Sequence, residues 1–212
     1  MHAKTTMKAL LTKGFSFFVF LALPAIIIHI DVRLLGSQVG ENSWVEYTQE
    51  LSLLAIIIIF AYLYQLDRHY RSFAVLLGGF FTCLLIRELD GVFDQIVHGF
   101  WKYPAWAVAS ISCFYAFGLH RVRTLNQLSA FMAHPSFGLM LAAMGVLMVF
   151  SRLFGMGELW QAFLQDEYAR GVKNLAEEGV ELLDYSIALY SVAWYGRTLS
   201  VKVRKTPRVV AG

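Results

Sequence analysis

Apolar runs of near-bilayer length recur along this chain and constrain its fold more than any other feature. They fall at about 10–30, 46–66, 71–89, 104–119, 136–154 and 177–196, most of them close to the ~20 residues a helix needs to cross a hydrocarbon core. In lipid every backbone polar group must be satisfied internally, so open sheets are excluded and helices are favoured. The pattern predicts an all-α, polytopic membrane helix bundle of about six transmembrane helices, forming a single transmembrane domain over 1–212. Composition agrees. Charged residues are 16% of the chain and hydrophobic ones 58%, with a mean hydropathy of +0.55, against the ~25% charge of a soluble domain.

The first run lies behind Lys4, Lys8 and Lys13 and resembles a signal peptide. No small-x-small cleavage site follows at 31–36, so an uncleaved signal-anchor helix is expected, kinked at Pro24. Gly78 and Gly79 in the third run would let a neighbouring helix approach closely. The stretch 158–175 is too polar to span. Its Trp160, Leu164, Tyr168, Val172 and Leu175 recur at helical spacing, which predicts one interfacial amphipathic helix. Cys83 and Cys113 sit inside apolar runs, where neither metal capture nor a disulfide is expected.

Charge gives an orientation. With a cytoplasmic N-terminus and six alternating spans, the inner segments hold twelve of the eighteen Lys and Arg residues and one acid, Asp67, giving +11. The outer segments hold the other six basic residues and fourteen acids, giving −8, and the two recover the net charge of +3. Lys and Arg excess sets membrane orientation, so an inner-membrane protein with both termini cytoplasmic is expected. The basic tail then rests against an anionic leaflet and needs no nucleic acid.

The outer acids gather at two span entrances. Glu46 and Glu50 open the second run, and Glu177, Glu178, Glu181 and Asp184 open the last. At a rise of roughly 1.5 Å per residue, Glu50 lies roughly 25 Å from the inner turn at Asp67 and Glu181 roughly 24 Å from Arg197, while Arg87 and Arg152 reach a similar depth. Acids in hydrocarbon are costly enough to be functional hypotheses. Eight of them (Glu46, Glu50, Glu88, Asp90, Glu177, Glu178, Glu181, Asp184) stand against Arg87 and Arg152. Such an excess needs water, protons, a cation or a cationic ligand. The competing structural reading is that these charges snorkel or merely fix helix packing.

Two motifs, Arg87-Glu88-Leu89-Asp90 and Glu177-Glu178-Gly179-Val180-Glu181-Leu182, together with the acidic opening of the second run, resemble a broad group of uncharacterised multi-pass bacterial inner-membrane proteins over about 44–195. The resemblance implies no activity, cofactor or catalytic residue. It implies that the two acidic stretches belong to one site.

Other chemistries fit poorly. No Glu-x-x-His pair for a di-iron bundle occurs, nor a zinc-protease, nucleophile-elbow or phosphate-loop motif. His29 or His98 could join the acids around a metal such as zinc, although a lone interfacial His is more often a polar anchor. Three readings follow. The first is a membrane protein that binds or transports a divalent cation or proton at its outer carboxylates. The second is a non-catalytic accessory or immunity-type protein that binds a partner there. The third is an intramembrane enzyme acting on a lipid or envelope precursor, with one carboxyl as acid and another as base. The lipid bilayer is the expected surrounding; a homo-oligomer or protein partner stays open, and the cofactor and catalytic residues are left unassigned.

Overall fold

The computed structural model describes residues 2–36, 39, 43–165 and 168–205, with the side chains of 2–10 and 13 outside that description. The basic side chains of Lys4, Lys8, Lys13 and Arg208 and most of the link 36–43 therefore lie outside the described residues. The described chain is all-helical, with no strand among the described residues. In order it forms α1 (His2–His29), α2 (Trp44–Leu66), α3 (Arg71–Glu88), α4 (Asp90–Asp94), α5 (Lys102–Cys113), α6 (Arg121–Met132), α7 (Ser136–Gly145), α8 (Arg152–Phe154), α9 (Gly157–Leu164) and α10 (Arg170–Lys205). Three π-helical segments continue α1 (Ile30–Leu34), continue α5 (Phe114–Leu119) and join α7 to α8 (Val146–Ser151).

Three segments are long and apolar enough to cross a membrane: Gly14–Leu34, Trp44–Leu66 and Ser136–Phe154. Only 11%, 33% and 22% of their apolar windows are buried, and Phe15, Phe18 and Trp106 are more than 70% exposed. In water such apolar surface would drive association; against lipid it is the ordinary outer face of a helix. The other three expected spans coincide with helices that fall short by composition. α3 carries Arg71, Arg87 and Glu88 within eighteen residues, α5 and its π-helical continuation are diluted by Tyr, Trp and Ser, and α10 is charged at both ends.

The amphipathic stretch is shorter than expected. α9 has only eight residues, and Gln165 ends it at φ 50°. The last helix starts at Arg170, seven residues before the expected entrance at Glu177; Gly171 falls in its first turn, and 172–176 hold neither glycine nor proline.

The chain forms two compact units. Unit one comprises 1–49 and 142–190. Its core joins Val39, Val45 and Leu182, with Ile27, Ile28, Val32 and Leu175 packed against them. Elsewhere in it the Phe17 and Phe20 rings lie 5.0 and 5.6 Å from that of Tyr190. Since lipid tails are as apolar as side chains, such contacts stabilise by close packing rather than by escape from water.

Unit two comprises 50–141 and 191–212. It is built on aromatic rings: Tyr195 sits 4.7 Å from Phe131, 5.2 Å from His134 and 5.8 Å from Phe73. The glycine pair is used on both sides. A Cβ on Gly79 would stand 2.6 Å from that of Ser112 on α5, and one on Gly78 3.3 Å from that of Phe60 on α2.

Candidate functional site

Unit one gathers polar groups where α1 ends, α2 begins, α8 begins and α10 enters its apolar half. The start of α2 is fixed first. Ser43-Trp44-Val45-Glu46 has the spacing of a capping box, and the Ser43 hydroxyl accepts the Glu46 N–H at 3.1 Å. Asp31, 1% exposed in the π-helical end of α1, accepts the Val45 N–H at 3.4 Å. Two of the orphan donors at that helix terminus are thereby satisfied.

Gln49, one turn along α2, is wholly buried. Its amide nitrogen donates to the backbone carbonyl of Glu178 at 2.9 Å and to the Glu178 carboxylate at 3.1 Å. Both partners accept only, so the amide orientation is determined. Its oxygen has no partner among the described residues. On α10 Lys173 pairs with Glu177 at 2.8 Å in an i, i+4 arrangement.

Deeper on α10, Glu181 is 3% exposed and Asp184 fully buried. The buried Ser151 hydroxyl, last residue of the π-helical segment, donates to the Glu181 carboxylate. The Arg152 guanidinium lies 3.9 Å from the same carboxylate oxygen, with its side chain half-exposed. Among the contacts of Glu181 are thus a buried hydroxyl and a loosely placed, half-exposed cation. A hydroxyl can donate to a carboxylate or accept from a carboxylic acid, so this arrangement suits either protonation state.

Glu50, Arg87, Glu88 and Asp90 belong to unit two. There Arg87 pairs with its neighbour Glu88 at 2.7 Å, and Asp90 is exposed in the first turn of α4. His29 is exposed on α1. His98 is exposed in the link before α5, paired with Asp94 at 2.6 Å. Among the described residues no three His, Cys, Asp or Glu side chains come together in a way that could hold a metal ion.

Ser151, Gln49, Lys173 and Asp31 did not stand out in the sequence. For two of them the usable signal was polarity at helical spacing from a charged residue: Gln49 lies three residues beyond Glu46 and Lys173 four before Glu177. No protein-family model, curated protein or solved structure matches the chain.

Proposed function

We propose that the chain is a multi-pass inner-membrane protein, six-spanning with both termini cytoplasmic, whose Glu181 carboxyl exchanges a proton with the outer side. It acts as a proton-coupled transporter or sensor. What carries this reading is one observation: Glu181 is buried beside a fixed hydroxyl while its cationic neighbour is half-exposed and 3.9 Å away. A carboxylate in a low-dielectric site is costly unless paired or neutralised. A half-exposed guanidinium can leave more readily than the buried Ser151 hydroxyl, which can serve the carboxyl with or without a proton. Asp184, one turn deeper, offers the next carboxyl along the helix. A metal ion suits the geometry less, because no trio of ligating side chains converges among the described residues. The topology rests on the +11 and −8 split of charge.

Infrared difference spectroscopy of the protein in bilayers, stepped between neutral and acid pH, tests the site. A carboxylic acid C=O band that grows on acidification in the parent and is missing in Glu181→Gln is expected. An identical band in both would remove Glu181 from the mechanism and bring the partner-binding reading forward.

A further inference from the structure

Unit two holds an open, mostly apolar side cleft of about 260 Å³ between α2 and α3, lined by Ile57, Phe60, Ala61, Tyr64, Gln65 and Gly78 among others. It exists because Ala61, Ala74 and Gly78 are small where larger residues would close it. Clefts that hold drug-sized ligands start near 300 Å³, so this one suits a single narrow chain.

Its end is cationic. The Arg71 guanidinium stands 5.0 Å from the centroid of the cleft-lining Tyr64 ring, and its Nε donates to the Tyr64 carbonyl at 3.3 Å. In the same turn Arg68 is exposed, and its carbonyl accepts from the Arg123 guanidinium at 3.3 Å. The turn's one acid, Asp67, accepts the His69 N–H at 2.7 Å and so serves the turn itself.

We propose that this cleft seats one acyl chain of an anionic phospholipid, with its phosphate held by Arg71 at the rim set by Arg68 and Arg123. The occupant follows from charge complementarity: an apolar slot with guanidinium groups at one end matches a chain joined to a phosphate, which guanidinium binds through paired donors. A second copy of α2 or α3 would bring Arg68 and Arg71 against the same charges. No residue here belongs to the Glu181 cluster, so the inference stands or falls independently of it.

Native mass spectrometry of the delipidated full chain tests it. Phosphatidylglycerol, phosphatidylcholine with the same chains, and inorganic phosphate are added separately to the parent, to Arg71→Gln and to Ala61→Phe. The parent should retain phosphatidylglycerol over phosphatidylcholine, and Arg71→Gln should lose that preference by about fivefold. Ala61→Phe, which fills the slot from an exposed position, should retain neither lipid while melting like the parent. Equal retention of the two lipids by the parent overturns the proposal, as does undiminished lipid on Ala61→Phe. Phosphate alone stabilising the parent as well as phosphatidylglycerol does would also overturn it. A parent dimer abolished by Ala61→Phe would give the cleft to a second copy.

Discussion

Gly155 lies so close to Glu177 that a Cβ on it would stand 2.9 Å from the glutamate's carboxyl carbon and 3.2 Å from the Ser151 carbonyl. The carboxylate can move aside; the carbonyl cannot move without its helix. Gly155→Ala is therefore expected to displace Glu177 from Lys173 and lower thermal stability. An i, i+4 ion pair is worth only about 0.2–0.5 kcal/mol, so most of the loss should come from the backbone contact. A double-mutant cycle with Lys173→Met measures this: the coupling should not exceed the worth of the ion pair, about 0.5 kcal/mol, and a larger coupling would show that the loss runs through Glu177 rather than the backbone.

Around Glu181 the two neighbours should differ in weight. Ser151→Ala removes a buried donor from a buried carboxyl, a loss of about 1–3 kcal/mol. Arg152→Gln removes a half-exposed cation at 3.9 Å, worth about 0–1 kcal/mol after solvent screening. Unfolding of both variants in one detergent ranks them. A larger loss for Arg152→Gln would mean that the ion pair, not the hydroxyl, holds the carboxyl.

The α3–α5 contact should be intolerant of a single methyl group. Gly79→Ala places its Cβ 2.6 Å from that of Ser112, and overpacking of this kind costs about 1–3 kcal/mol. Ser112→Gly in the same chain is expected to recover most of the lost melting temperature. Absence of recovery would show that the glycine matters for another reason.

The α4–α5 link carries a pH dependence. The Gly99 N–H donates to Asp94 at 2.7 Å, and the His98 ring pairs with it. The Gly99 bond first, then His98, holds the Asp94 carboxyl below its ordinary value of 3.8. A lowered carboxyl contributes stability that is present above the ordinary value and lost as pH falls through the folded one. The Gly99 amide resonance should accordingly move with a midpoint below 3.8, and Asp94→Asn should abolish the movement. A midpoint at or above that value would contradict the hydrogen bond.

Topology has its own measurement. Alkaline phosphatase fused after Gly212 should be inactive and fused near Gly40 active; the opposite pattern would put the acids on the inner side.

Much of the helical layout was readable beforehand because apolar runs mark helices whatever surrounds them. Glu181 and Arg152 were picked out by the cost of charge at depth, and they do lie beside each other. The helix ends were less readable. α9 stops at Gln165, at positive φ, a residue type that does not announce a break. The tie from Gln49 on α2 to Glu178 on α10 could not be read either. Depth along a helix can be counted, but which helices pack together depends on side-chain fit. The π-helical segments were hidden for a related reason, since an apolar run looks the same whether its turns are α or π.

One of those segments makes part of a membrane helix tolerant of a change in length. The π-helical turn over Val146–Ser151 holds one residue more than an α turn would. Loss of one residue between Val146 and Val149 would return it to α geometry, and Ser151 would keep its direction relative to α7 because the wide turn had already absorbed the surplus. The same deletion within α7 would turn Ser151 by about 100° around the axis and take its hydroxyl away from Glu181, although no side chain touching that carboxyl had been changed. For this short stretch a frame-preserving deletion is the milder change, and related sequences can be aligned through it only if the surplus residue is counted.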